Sequence, residues 1–145
     1  MDFIAAVMDR GPLYRYADPL GALNLAVMVQ GDELQWHFDQ TDFVVSLAIQ
    51  DAEGGGDFEC APLIRSADDE CYPAVKRVLE GGSEEVVRLP MTPGTLLIFE
   101  GRNSIHRVSP IAGPTPRLVA LLAYDTKPGT NSTDVLKLSR YGRVG

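Results

Sequence analysis

Residues Leu23 to Gln50 read LNLAVMVQGDELQWHFDQTDFVVSLAIQ, two apolar runs separated by a polar stretch that holds one of only two histidines in the chain. The flanking runs, LNLAVMVQ over Leu23 to Gln30 and FVVSLAIQ over Phe43 to Gln50, are rich in apolar and β-branched residues and too short for independent helices, so each is expected to be a strand. Downstream, Gly54-Gly55-Gly56 before Asp57-Phe58-Glu59-Cys60 predicts a tight turn into another strand, because consecutive glycines accept the positive φ angles of hairpin turns. Further strands are expected at Glu85 to Leu89, Thr95 to Phe99, Ser104 to Val108 and Arg117 to Tyr124, separated by Met91-Thr92-Pro93-Gly94, Glu100-Gly101-Arg102-Asn103 and Ala112-Gly113-Pro114. Many short strands with regular turn signals predict an all-β sandwich or barrel.

Two short helices complete the expectation. One runs from Tyr72 to Glu80, where Val75, Val78 and Leu79 recur at helical spacing and Gly81 is a stop signal. The other covers Asp2 to Met8. The stretch after Lys127, beginning PGTNSTD, is polar and predicts a loosely attached tail, so the organisation expected is one domain over residues 1–128 and a C-terminal tail over 129–145.

A chain of 145 residues with 45% hydrophobic content is enough for one core. No stretch approaches the roughly 18 to 20 apolar residues of a membrane span, so no membrane partner is expected. Met1 to Arg10 lacks the basic and apolar regions of a secretion signal, which makes the cytoplasm the expected location and free thiols the expected state of Cys60 and Cys71. The net charge of −7 is uneven: residues 1–100 hold 6 Lys/Arg against 18 Asp/Glu, and residues 101–145 hold 7 against 2. Most of this surface would repel a polyanion, so no nucleic-acid partner is expected, whereas the basic C-terminal part can serve a small anion.

The two histidines carry the chemistry. His37 lies in Trp36-His37-Phe38-Asp39, and residues two apart on an extended segment point to one side, so an imidazole and a carboxylate converge on a single ion. His106 follows Asp39 with 66 residues between, on the expected strand Ser104 to Val108. Two histidines and one carboxylate on a β-scaffold form the facial arrangement of non-haem Fe(II) oxygenases, which leaves coordination positions open for cosubstrate and O₂. Arg117 follows His106 with ten residues between, and a guanidinium pairs in bidentate fashion with a carboxylate while remaining charged when buried.

In these features the sequence resembles the Fe(II)/2-oxoglutarate-dependent dioxygenase superfamily. The resemblance spans Tyr14 to Pro128 and rests on WHFD before an apolar strand, the GGG-DFE turn, PGTLLIF, and IHRVSPIAGPTPR ahead of LVALLAYD. It implies a double-stranded β-helix, or jelly roll, of about eight strands. It further implies Fe(II) held by His37, Asp39 and His106, with 2-oxoglutarate chelating the iron and its far carboxylate on Arg117. The implied reaction is hydroxylation of a small molecule, such as an amino acid or a natural-product intermediate, with O₂ consumed and succinate and CO₂ released. Halogenating relatives carry a small residue at the carboxylate position, so Asp39 favours hydroxylation.

Two departures are visible. Many members have Ser or Thr two residues after the arginine, where this chain has Val119, so a second cosubstrate contact is expected from Asn24, Tyr14 or Tyr16. The chain is also short for the superfamily, with room for little more than one helix before Leu23. A non-catalytic jelly-roll binding module or a truncated oxygenase core is the alternative. A zinc hydrolase using the same three ligands lacks H-E-x-x-H and an evident general base. Arg102 and Asn103 are expected at the mouth of the site, and Arg107 on the opposite face of its strand.

Overall fold

The computed structural model describes all residues from Met1 to Gly145. In chain order its elements are α1 (Asp2–Met8), β1 (Tyr14–Arg15), β2 (Leu23–Met28), β3 (Leu34–His37), β4 (Phe43–Gln50), β5 (Gly54–Gly55), β6 (Phe58–Ala61), α2 (Tyr72–Leu79), β7 (Val87–Leu89), β8 (Leu96–Phe99), β9 (Ile105–Val108), β10 (Ile111–Ala112), β11 (Arg117–Asp125) and α3 (Asp134–Tyr141). The strands form a jelly roll of antiparallel sheets. The larger sheet runs β1-β11-β4-β8 with β2 also on β11, the smaller runs β3-β9-β6-β7, and β5 pairs with β10.

β11 is flanked on both sides, by β2 from Arg117 to Leu122 and by β4 from Leu118 to Tyr124. Its nearly unbroken apolar run LVALLAY buries Val119 on the inner face and packs Leu122 and Tyr124 on the outer face against the cluster of Ile4, Leu13, Phe43 and Val45. Between the sheets lies a core of Met28, Ala48, Phe58, Cys60, Met91, Val108 and Ile111, with Leu97 and Phe99 against it. The outer face of β4 turns Phe43 and Val45 toward Ile4 of α1 and Leu13. α2 buries Val78 against Ala61 of β6 and Ile105 of β9. Both cysteines are free; burial pushes the Cys60 thiol up to about 11, so it stays neutral.

The expected strands and helices recur with small shifts at their ends, and two segments differ in kind. The three glycines do more than turn: Gly54 and Gly55 pair with Ala112 and Ile111. Gly55 has φ +65°, and a Cβ there would lie 1.9 Å from the Pro110 carbonyl oxygen. The segment after Lys127 is not loosely attached. Thr133 caps α3 by accepting a hydrogen bond from Leu136 N, and Lys137 is buried with its Nζ 4.0 Å from Asp18 Oδ1. The polar composition of PGTNSTD describes the connection, whereas the following DVLKLSRY is a capped helix.

Gly55→Ala combines an unfavourable φ with a backbone collision and is expected to cost about 2 kcal/mol or more of stability. A urea unfolding curve with an unchanged midpoint would contradict that placement.

Candidate metal centre

β3 and β9 are antiparallel neighbours with His37 directly opposite His106, after a register irregularity between Leu34 and His37. Their ring centroids are 4.2 Å apart. Each Nδ1 faces a backbone carbonyl two residues earlier, Gln35 O at 2.7 Å for His37 and Ser104 O at 2.9 Å for His106. That contact fixes the tautomer with the proton on Nδ1, which leaves both Nε2 lone pairs free to bind a cation.

β3 ends at His37, so Asp39 lies just past the strand rather than on it. Its backbone N–H donates to Gly101 O at 3.0 Å, and this bond holds the chain extended for two more residues. Phe38 consequently turns to the opposite side, where the Arg65 guanidinium lies 3.6 Å over its ring. Asp39 Oδ1 lies 3.8 Å from His37 Nε2 and Oδ2 lies 3.5 Å from His106 Nε2. One donor atom from each residue falls within 4.8 Å of the others. The set of two imidazole nitrogens and one carboxylate oxygen fits a divalent ion such as Fe(II) or Zn(II).

The surroundings of this cluster are asymmetric. His106 is buried beside Phe99 and Phe58, whose ring centroids lie 4.9 and 5.6 Å away, and burial lowers its pKa despite the Asp39 charge. His37 is half-buried and opens onto a cavity of about 470 Å³. Asn24, Leu25, Ala26, Val44, Leu121 and Ala123 form its sheet side, while Tyr16, Gln40, Arg140 and Tyr141 stand around it.

Arg117 does not line this cavity. It begins β11 opposite Met28, is only 4% exposed, and its one polar contact is Nη1 to Met28 Sδ at 3.8 Å. Its Nε has no hydrogen-bond partner. A Cβ at Gly56 would come within 3.1 Å of Arg117 Cδ, so the glycine leaves the arginine its room. Burial lowers the Arg117 pKa, opposed by the charge of Asp51. Along β11, Leu121 and Ala123 face the cavity while Arg117 lies four residues deeper, about 13 Å at strand spacing.

Asn24, expected as a second cosubstrate contact, stands four residues along the strand pair from Arg117. It pairs across from Leu121, at the metal end, and its amide donates to Gly21 O at 3.4 Å and Tyr141 Oη at 3.3 Å. Tyr16 shares that end, its hydroxyl 2.8 Å from Ser132 Oγ and donating to Gln40 Oε1 at 3.4 Å. Tyr14 does not line the cavity. Arg102 is not at the mouth either, because Asp42 and Asp125 hold its guanidinium, and Asn103 bonds to Glu100. Arg107 does lie on the opposite face, donating to Glu59 at 2.6 Å and covering Trp36. A second cavity of about 440 Å³ lies there, and its two guanidiniums, Arg88 and Arg107, both pair with Glu59.

Gly101, Gln40, Arg140 and Tyr141 belong to no motif. Arg140 and Tyr141 were findable through the Thr133 cap and the apolar spacing of α3. For Gly101 no signal existed, since only the folded structure brings Asp39 against it.

The family model described as HalD, Halogenase D, matches residues 23–136. The chain is similar in fold to AviO1 from Streptomyces viridochromogenes Tue57 (TM-score 0.66, 19% identity, covering 91% of this chain and 58% of that one). It is also similar to the non-heme monooxygenase ThoJ in its Ni complex (0.59, 19%, 86% and 49%). A third likeness is to an oxidoreductase of the 2OG-Fe(II) oxygenase family from Burkholderia pseudomallei (0.54, 18%, 75% and 44%). The chain thus spans about half the length of these structures. No curated protein sequence matches it.

A Cβ at Gly101 would lie 2.1 Å from Asp39 Oδ2. Gly101→Ala is expected to displace the carboxylate and weaken metal binding by roughly 10- to 100-fold, with a melting temperature close to that of the parent. Calorimetric titration with Zn(II) reads this, and an unchanged affinity would show that Asp39 is no ligand.

Proposed function

The chain belongs to the Halogenase D family, within the Fe(II)/2-oxoglutarate oxygenase superfamily, and from that membership we propose that it is an oxygenase that hydroxylates a small molecule. The observation that carries this reading is the convergence of His37, Asp39 and His106 within 4.8 Å, both imidazoles offering Nε2. Iron bound there with 2-oxoglutarate supplies the oxidant, coupling O₂ reduction to release of succinate and CO₂.

The chain's own residues set the conditions for that chemistry. The two carbonyls on the Nδ1 atoms hold the rings in orientation, so coordination demands little rearrangement. Phe58 and Phe99 keep water from the His106 side. Arg117 supplies an unpaired guanidinium, and a buried cation without a partner is costly enough to make an anionic ligand a strong match. For 2-oxoglutarate to reach it, side chains along the inner face of β11, Val119 foremost, must yield.

Hydroxylation rather than halogenation is favoured by Asp39. Its carboxylate stands between both imidazoles, in the position that halogenating relatives leave to a small residue and a halide. The family's description names a halogenase, so the two outcomes are tested together.

Anaerobic addition of Fe(II) and 2-oxoglutarate is expected to give a weak visible charge-transfer band, lost in His106→Ala. Arg117→Gln is expected to raise the 2-oxoglutarate concentration needed by roughly 10- to 100-fold. Turnover in chloride buffer should yield hydroxylated and no chlorinated product. A folded protein with no band would refute the oxygenase reading, and a chlorinated product would refute hydroxylation alone.

A further inference from the structure

We propose that two copies of this chain pack face to face through the outer side of the larger sheet, as a two-fold symmetric dimer. The inference stands apart from the oxygenase reading, because this face is the opposite one from that which borders the His37, Asp39 and His106 cluster.

The register of the larger sheet lines up one row of apolar side chains across four strands. Leu25 of β2 stands opposite Ala120 of β11, Ala120 opposite Leu47 of β4, and Leu47 opposite Leu96 of β8. At strand spacing the row is about 14 Å long. Leu25, Leu47 and Leu96 are 59%, 38% and 45% exposed, and Leu23, Val27 and Ile49 are exposed beside them. The alternation of β2 runs against solvent: in Leu23-Asn24-Leu25-Ala26-Val27-Met28 the polar Asn24 turns inward to the cavity, while two leucines and a valine turn outward. An antiparallel sheet with one solvated face carries polar residues on that face, so the outward side of β2 is written for burial. One end of the face is buried in this way already, where α1 and Leu13 cover Phe43, Val45, Ile98, Leu122 and Tyr124.

Size and charge select the occupant. The six exposed side chains present roughly 500 Å² of apolar surface, at the upper end of the largest patch on an ordinary monomer. Two such faces in contact bury roughly 1,000 Å², the area at which specific association begins, before the half-buried Leu118 and Ala120 add to it. A chain of net charge −7 repels its own copy least across an uncharged face, and no outward position of β2, β4, β8 or β11 holds a charged residue. A charged partner finds nothing to pair with there. A second copy offers an apolar sheet of the same shape, and two sheets pack in this way about 10 Å apart. A two-fold axis through the row sets apolar side chains of one copy against those of the other and closes the assembly at two.

Sedimentation equilibrium of the full chain, from about 1 to about 300 µM, tests this. The expected result is a monomer–dimer equilibrium with a dissociation constant below about 100 µM. Leu25→Arg and Leu96→Arg fall at opposite ends of the row, and each is expected to raise that constant about 30-fold or more, because a two-fold contact buries the unpaired guanidinium twice. Leu79→Arg, on the α2 helix that packs on the smaller sheet, should leave it unchanged. Far-UV circular dichroism checks that each variant is folded, and Leu47→Arg takes the place of either row variant that is not. The proposal is overturned if the chain stays monomeric at about 300 µM, if the dimer survives both row substitutions, or if association runs past two copies. A monomer that co-sediments with phosphatidylcholine vesicles would also overturn it and would assign the face to a lipid surface. None of these outcomes bears on the metal centre, so the oxygenase reading stands or falls separately.

Discussion

The antiparallel pairing of β3 with β9 sets His37 against His106, and the rest of the site depends on that pairing. β9 is an inner strand of the smaller sheet, held on its other side by β6, so His106 has little freedom. β3 is an edge strand, and a backbone bond from Asp39 to Gly101 carries the chain past its end. One rigid candidate ligand, one on an edge and one on a tethered extension give a cluster that is fixed on one side and accessible on the other. Access and rigidity are thereby divided between the two histidines.

Two buried charge arrangements show what a closed network and an open one look like in the same fold. Glu59 is buried between Arg88 at 3.0 Å and Arg107 at 2.6 Å. Burial alone would raise its pKa, and the hydrogen bonds from Arg107 and Arg88 outweigh that and hold the carboxyl below its usual range. That network is complete and braces the outer face of the smaller sheet. Arg117, on the inner side, has a sulfur contact and an Nε with nothing to donate to. Burying such a group costs several kcal/mol unless a ligand pairs with it.

The strands were legible because apolar runs of four to nine residues were broken by glycine, proline and asparagine at regular intervals. His37, Asp39, His106 and Arg117 were legible as a pattern of residue types and spacings, although the alternation invoked for His37 and Asp39 extends beyond the strand itself and relies on Gly101. What the sequence withheld is long-range. Nothing local shows that Asn24 meets Tyr141, 117 residues away, or that Asp42 and Asp125 occupy Arg102. The composition of PGTNSTD pointed away from order at the C-terminus, while buried Lys137 and Asp18 hold α3 against the body.

X-ray absorption of the Fe(II)-loaded chain tests the central claim most directly, because it reads the ligands themselves. Two imidazole nitrogens and a carboxylate oxygen at about 2.0 to 2.2 Å, with one imidazole lost in either His37→Ala or His106→Ala, is the expected result. An iron shell without imidazole, or one that neither substitution alters, would contradict it.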